Sequence, residues 1–417
     1  MVQLHKNREI IMNRPTLFGY GITTKAIASN FGGGCQFFDD KTDKRYIDRD
    51  NNIISPSSEF NPNSSDLEIT TPSLPPSHPL INSAKNLISE YDYFLSPNFS
   101  DKIPFNIWIS GTNGKTTTTQ MLTHLLSNKG ALSGGNIGTP LGSLDKNAPI
   151  WILETSSFTL HHTNMVYPNI YLLLPITPDH IDWHTTQDEY IKSKLKPLEG
   201  MREGEMALIP KGLQIPQTDA FVVEYDSSKS IAEFFDIDIS KVNFKGAFLE
   251  DALLSLAITK ALFNEIDYNL INSFKVDNHR QEEILDTQNR LWIDDSKATN
   301  VDASIKAIEC FGDRYIHLIL GGIDKGADLT PLFQTLSRYN LKIYTIGTNA
   351  QKLIELAQKY KIDSIRCDTL KSAISQIDKT LKIDEVALLS PASASFDQFK
   401  SYQDRGDKFK EFVRELL

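Results

Sequence analysis

Apolar residues occur along this chain in short runs of strand length, each followed at once by glycine or polar residues. The central part carries such runs at 105–109, 150–153 and 170–174. The C-terminal part carries them at 291–293, 316–320, 342–346 and 386–389. A short continuous apolar run bounded by turn residues reads as a strand buried on both faces of a parallel sheet. The stretches between are helix-patterned, as at 116–126, and the alternation predicts α/β regions starting near residues 98 and 278. Nearer the N-terminus, Thr16-Leu17-Phe18 runs into Gly19-Tyr20-Gly21, and a helical stretch follows from Thr23. A second strand, Gln36-Phe37-Phe38, ends at Asp39 and Asp40. This is a small βαβ beginning, like half of a dinucleotide fold. Its G-x-G lacks the third glycine and marks only a backbone turn near a phosphate or ribose. Residues 51–79 are rich in Asn, Ser and Pro and read as loops around a short strand at 67–69.

The polar residues that close these strands carry the candidate chemistry. After the run at 105–109 comes Ser110-Gly111-Thr112-Asn113-Gly114-Lys115-Thr116-Thr117-Thr118-Thr119. A glycine turn between strand and helix, with a lysine and a hydroxyl residue opening the helix, suits a phosphate. Backbone N–H groups face the anion, Lys115 reaches the outer phosphates, and the Thr116 hydroxyl holds Mg²⁺. The longer pattern has a glycine where Ile109 stands, so only G-x-x-G-K-T is present, and a plain helix-capping turn is the alternative. The strands at 150–153 and 170–174 end in Glu154-Thr155-Ser156-Ser157 and Thr177-Pro178-Asp179-His180. Ligands of open parallel sheets bind at the carboxyl ends of strands, so these loops are expected to converge. Glu154 and His180 could then complete metal coordination beside phosphates, His180 having helix capping as its alternative.

The C-terminal strands end in Asp295-Ser296-Lys297-Ala298-Thr299-Asn300, in the glycine-flanked loop with Lys325, and in the hydroxyl-rich stretch 390–399. That last stretch is expected to open a helix whose N–H groups bind a carboxylate. Simple N-capping is the alternative for the first and third, and a solvated turn for Lys325.

Composition narrows the class. The chain has 417 residues, enough for two or three domains. Its formal charge of -10 speaks against nucleic acid as the main partner. The 3 cysteines, Cys35, Cys310 and Cys367, have no metal spacing and read as reduced thiols of a cytosolic protein. No apolar stretch reaches bilayer length, so no membrane partner is expected.

Together these loops resemble the Mur ligases, the ATP-dependent amide-forming enzymes of peptidoglycan synthesis. The general features are G-T-N-G-K-T-T at 111–117, G-N-I-G at 135–138, E-T-S-S-F at 154–158, D-H-I-D at 179–182 and H-R at 279–280. The more particular ones are D-S-K-A-T-N at 295–300, L-G-G-I-D-K-G-A-D at 320–328, S-P-A-S-A-S-F-D-Q-F at 390–399 and R-G at 405–406. These last point to the members that add D-glutamate.

The resemblance implies three α/β domains. They are a Rossmann-like UDP-substrate domain at 1–97, a P-loop ATPase-type parallel-sheet domain at 98–277, and a Rossmann-like amino-acid domain at 278–417. It implies an enzyme joining UDP-N-acetylmuramoyl-L-alanine to D-glutamate through an acyl phosphate, acting as a cytoplasmic monomer with ATP and two Mg²⁺ ions. Lys115, His180 and Lys194 would be catalytic, with Lys194 carbamylated. ATP would be held by Gly111, Thr112, Asn113, Gly114, Lys115, Thr116, Thr117, Asp251, Arg280, Asp295 and Lys297. Thr116, Glu154, His180 and Lys194 would form the metal set. Ile22, Thr23, Asp39, Ser73 and Asn136 would contact the UDP-substrate, and Thr299, Lys325, Ser395 and Tyr402 the D-glutamate. The residues alone read Lys194 as a surface helix lysine.

The chain departs from the family pattern at Ala247 to Ala252, where only Asp251 stands in for an asparagine. A sister ligase, a folylpolyglutamate synthase and a nucleotide-dependent switch protein are the competing readings.

Overall fold

A computed structural model of the chain describes residues 14–323, 326 and 328–416. Three six-stranded sheets follow one another along it. The first holds β1 (Thr16–Phe18), β2 (Gln36–Asp39), β3 (Tyr46–Ile47), β4 (Ile53–Pro56), β5 (Glu68–Thr70) and β6 (Leu87–Ile88), in the order β3-β4-β2-β1-β5-β6. The second holds β7 (Phe105–Ser110), β8 (Ala131–Gly135), β9 (Ile150–Glu154), β10 (Ile170–Leu173), β11 (Met206–Pro210) and β12 (Phe221–Tyr225), in the order β12-β11-β10-β7-β9-β8. The third holds β13 (Glu282–Leu285), β14 (Leu291–Asp294), β15 (Ile316–Gly321), β16 (Leu341–Ile346), β17 (Asp363–Asp368) and β18 (Val386–Leu389), in the order β13-β14-β18-β15-β16-β17. The second sheet is parallel throughout. The first and third each carry one antiparallel edge strand, β3 and β13.

The central strands are buried on both faces because helices cover both sides: β9 is buried at every position, as is β15. Two compact units result. One contains the first two sheets, through Lys241, and Asp251–Ile271; the other contains Val242–Glu250 and the chain from Asn272 onward. Within the first unit one apolar core runs from Leu17, Phe37 and Ile69 to Trp108, Trp151 and Leu173. The third sheet has a core on each face, one around Ile308, Leu318 and Phe333 and one around Trp292, Tyr344 and Phe409. No helix among the described residues is long and apolar enough to cross a membrane.

One local expectation needs correction. Residues 390–399 open no helix. Ile323 N–H donates to the Ala394 carbonyl and Gly321 N–H to the Pro391 carbonyl, so this stretch pairs with the segment after β15 instead of coiling. The helix begins only at Tyr402, with Ser401 as its N-cap.

Candidate active site

In the second sheet β7 lies between β9 and β10. The chain leaves β7 toward β8 on one side and later crosses to β10 on the other. That reversal of strand order opens a crevice at the carboxyl ends. The glycine turn after β7 sits there. Gly111 has φ +147° and Gly114, the N-cap of helix Lys115–Leu125, has φ +83°. A Cβ on Gly111 would lie 2.5 Å from Leu174 Cβ, so only glycine fits. Lys115 Nζ folds over the turn and donates to the Gly111 and Thr112 carbonyls, both at 2.9 Å. Thr116 is half-buried on the first helical turn, whereas the Thr117 side chain is fully buried and faces inward.

Glu154 closes β9, in register with Ile109 of β7. Its side chain is 2% exposed. Oε1 accepts a 2.7 Å hydrogen bond from Asn136 Nδ2, while buried Oε2 has no protein partner. A buried carboxylate oxygen without a donor is costly unless something positive meets it. His180 caps helix Ile181–His184 in a left-handed conformation, φ 53°, yet its side chain makes no capping bond. The imidazole is half-exposed, and its Nε2 lies 3.5 Å from Asp179 Oδ2. Burial lowers its pKa, Asp179 pulls it back up, and Lys115 and Lys194 lower it further.

Lys194 is not a surface lysine. It is 1% exposed on helix Gln187–Leu195. Its Nζ donates to the Gly111 carbonyl at 2.8 Å and to Ser110 Oγ at 3.2 Å, both neutral acceptors. Burial pushes its pKa well below the usual lysine range, and nearby Lys115 adds to the effect. Asp251 stands behind the turn, accepting from Thr118 Oγ1 at 2.9 Å and lying against Gly114. It braces the loop.

The anchors that sequence reasoning missed are Ser110 and Tyr190. Tyr190 OH pairs with Thr112 Oγ1 at 2.9 Å, tying the turn to the helix that carries Lys194. The signal was the spacing of Tyr190 and Lys194, which puts both on one helix face.

In the first sheet the candidate residues follow adjacent strands. Ile22 and Thr23 begin the helix Ile22–Ser29 after β1, Asp39 ends β2, and exposed Ser73 follows β5. β2 and β5 flank β1, so these positions share one end of the sheet. The Asp39 carboxylate accepts from Tyr20 N–H at 2.7 Å and Lys41 N–H at 2.9 Å.

In the second unit β14, β18 and β15 are neighbours, and their carboxyl-end loops meet. Asp295 is buried and accepts from Ser390 Oγ at 2.8 Å, and burial raises its pKa to about 8. It caps no helix, because Asn300 is the N-cap of Val301–Cys310. Lys297 Nζ lies 4.1 Å from the centre of the Tyr402 ring. Ser395 is buried, and Thr299 and Arg280 are half-buried on adjoining loops. Next to Arg280, His279 Nδ1 pairs with Asp294 Oδ2 at 2.6 Å. Lys325 lies outside the described residues.

A glycine turn of phosphate-loop pattern beside a buried carboxylate, an imidazole and a buried lysine is the site pattern of nucleotide-using α/β proteins. A model of the Mur ligase middle domain matches residues 109–279. The chain is 47% identical over 404 residues to a Campylobacter jejuni protein, covering 96% of this chain and 99% of that one. It is 44% identical over 416 residues to a Helicobacter pylori protein, covering 95% and 99%. The chain belongs to the Mur ligase family. Both relatives bear the name UDP-N-acetylmuramoylalanine–D-glutamate ligase. Among solved structures, the MurF ligase of Thermotoga maritima in complex with ADP matches the fold with a TM-score of 0.57 at 15% identity, over 80% of this chain and 89% of that one.

Proposed function

We propose that this chain is an ATP-dependent ligase that forms the amide bond between UDP-N-acetylmuramoyl-L-alanine and D-glutamate in peptidoglycan precursor synthesis. Near-full-length identity to relatives of that name supports the choice of substrates. The observation that carries the chemistry is the buried Glu154 carboxylate beside the phosphate loop, with one oxygen left unsatisfied by protein. We take 1–97, 98–277 and 278–417 as the UDP-substrate, ATP and amino-acid domains.

A carboxylate is a poor electrophile. In the proposed reaction the alanyl carboxylate oxygen attacks the γ-phosphorus of ATP, and ADP leaves. The neutral D-glutamate amine then attacks the acyl carbon, its nitrogen gives up a proton, and phosphate leaves carrying that proton as hydrogen phosphate. Lys115 would hold the phosphates and spread their charge. Arg280, Asp295 and Lys297 would serve ATP from the third sheet's loops. Thr299, Ser395 and Tyr402 would surround D-glutamate, with Lys325 as counter-charge.

The donor set suits Mg²⁺: Glu154 with a free buried oxygen, the Thr116 hydroxyl, and His180 for a second ion. When bound, Mg²⁺ would offset phosphate charge and orient the transferred group. Lys194 fits carbamylation. Its buried, neutral-leaning amine is the form that adds CO₂, giving a carbamate and releasing one proton. The resulting anion would orient or ligate metal where a bare ammonium would repel it.

The test is phosphate release by the purified protein with Mg²⁺, ATP and UDP-N-acetylmuramoyl-L-alanine, with and without D-glutamate. Release that requires D-glutamate, and fails with L-glutamate or diaminopimelate, is expected. Release indifferent to the amino acid would sink the assignment.

A further inference from the structure

Of the motifs found in the sequence, R-G at 405–406 has no role in the reaction above. Arg405 sits in the first turn of helix Tyr402–Arg414 and is 1% exposed. Its Nε donates to Ser296 Oγ at 2.9 Å, Nη2 to the Ser296 carbonyl at 2.8 Å, and Nη1 to the Ser393 carbonyl at 3.1 Å. Among the described residues no carboxylate lies within ion-pair distance of it. A guanidinium hydrogen-bonded only to neutral acceptors is costly to desolvate: burial lowers its pKa to about 10 while the more distant Asp397, Asp294 and Asp295 pull it back up, so it stays charged at neutral pH. The loops it joins are separated by about ninety residues of chain and belong to neighbouring strands, β14 and β18. Ser296 also donates to the Tyr402 carbonyl at 2.8 Å, which closes the link back onto the same helix. Gly406 has a separate reason to be glycine. A Cβ there would stand 2.1 Å from His279 Nδ1 and 2.7 Å from Asp294 Oδ2.

We propose that Arg405 is a positioning residue, a three-bond clamp that sets the 295–300 loop against the 390–396 loop, while Gly406 leaves the space in which His279 pairs with Asp294. Lys297 neighbours one clamped residue, and Ser395 lies two positions from the other. Release of the clamp therefore loosens the binding of ATP and amino acid without touching the UDP-substrate contacts of the first sheet. The kinetic half of this inference rests on the proposed ligase activity; the packing half does not.

The test uses the full chain with Arg405→Lys, which keeps the charge and loses the planar fork, and with Ser296→Ala, which removes the hydroxyl that accepts from Arg405 Nε and donates to the Tyr402 carbonyl but keeps the Ser296 carbonyl acceptor. For Arg405→Lys, KM for D-glutamate and ATP should rise roughly tenfold or more with kcat nearly kept, and KM for the UDP-substrate should stay put. For Ser296→Ala the same pattern should appear at roughly threefold. Hydrogen–deuterium exchange should quicken in both 295–300 and 390–396 and remain unchanged in β7 to β10. A folded Arg405→Lys variant with all three KM values within about twofold of wild type, or with all three shifted alike, would overturn the proposal. If Arg405→Lys does not fold, Ser296→Ala decides by the same criteria. If the wild type shows no D-glutamate-dependent turnover, the ligase reading fails, and exchange alone decides here: unchanged protection of both loops refutes the clamp.

Discussion

Gly111→Ala should disable the phosphate loop for a steric reason that can be separated from backbone strain. The added Cβ would meet Leu174 Cβ at 2.5 Å and Leu174 Cα at 3.1 Å. Ordinary carbon contacts are near 3.5–4.0 Å, so the turn or β10's extension must move by about 1 Å. The φ of +147° adds strain for any L side chain. Strain of roughly 1–2 kcal/mol and overpacking of roughly 1–3 kcal/mol give about 2–5 kcal/mol of destabilisation. Gly204→Ala is the control: its φ is +89° and nothing lies within 4 Å of the added Cβ. It bears the strain alone, partly offset by reduced freedom of the unfolded chain, for about 1 kcal/mol. Urea unfolding of the two variants reads the difference. ATP-dependent turnover reads the displaced turn, where a shift of about 1 Å should cost on the order of 100-fold. Equal stability losses in the two variants, or normal turnover by Gly111→Ala, would refute the packing argument.

Three further outcomes are expected. Lys194→Met should leave a folded protein, because the buried amine bonds only neutral acceptors, and should abolish turnover; a variant that turned over at the wild-type rate would remove Lys194 from the site. Glu154→Gln should raise the Mg²⁺ concentration needed for half-maximal turnover by roughly tenfold or more, since a carboxylate ligand is replaced by an amide; an unchanged requirement in a magnesium titration would mean that the free oxygen meets no metal. Glu90 is buried, and burial raises its pKa to about 8 against the Gly142 and Leu141 N–H groups that lower it. The folded state thus holds a proton that the unfolded chain releases near pH 4.5. That contribution is full below the unfolded value and is lost as pH rises toward 8, at up to roughly 1.4 kcal/mol per pH unit. Glu90→Gln should flatten this decline in urea midpoints between pH 5 and 8, and parallel curves for the two proteins would contradict it.

How much of this was legible in the chain follows from which interactions are local. β7, β9, β10, β15 and β18 are buried along nearly their whole length, so their apolar runs announced them. The edge strands did not. β3 is exposed at both positions, β13 reads Glu-Glu-Ile-Leu and is only half-buried, and β17 is largely polar. A strand with one open side has no need of a continuous apolar run, and charge there deters pairing with other chains. The glycine turn between β7 and helix Lys115–Leu125 was legible because strand, glycines, lysine and hydroxyl are contiguous. Lys194 was not, because its burial depends on Ser110 and Gly111, more than eighty residues away. The clamp at Arg405 is a stronger case of the same kind. Three acceptors on two distant loops give an arginine its place, and no spacing pattern encodes them. What the sequence withholds is therefore the long-range hydrogen bonding that turns polar strand ends into a site. Among the described residues those bonds include Asp251 to Thr118, Tyr190 to Thr112, His279 to Asp294, and Arg405 to Ser296 and Ser393. Each holds a loop that carries candidate chemistry while itself lying behind it. Substitution of these residues should consequently alter binding constants more sharply than their distance from the reacting atoms suggests.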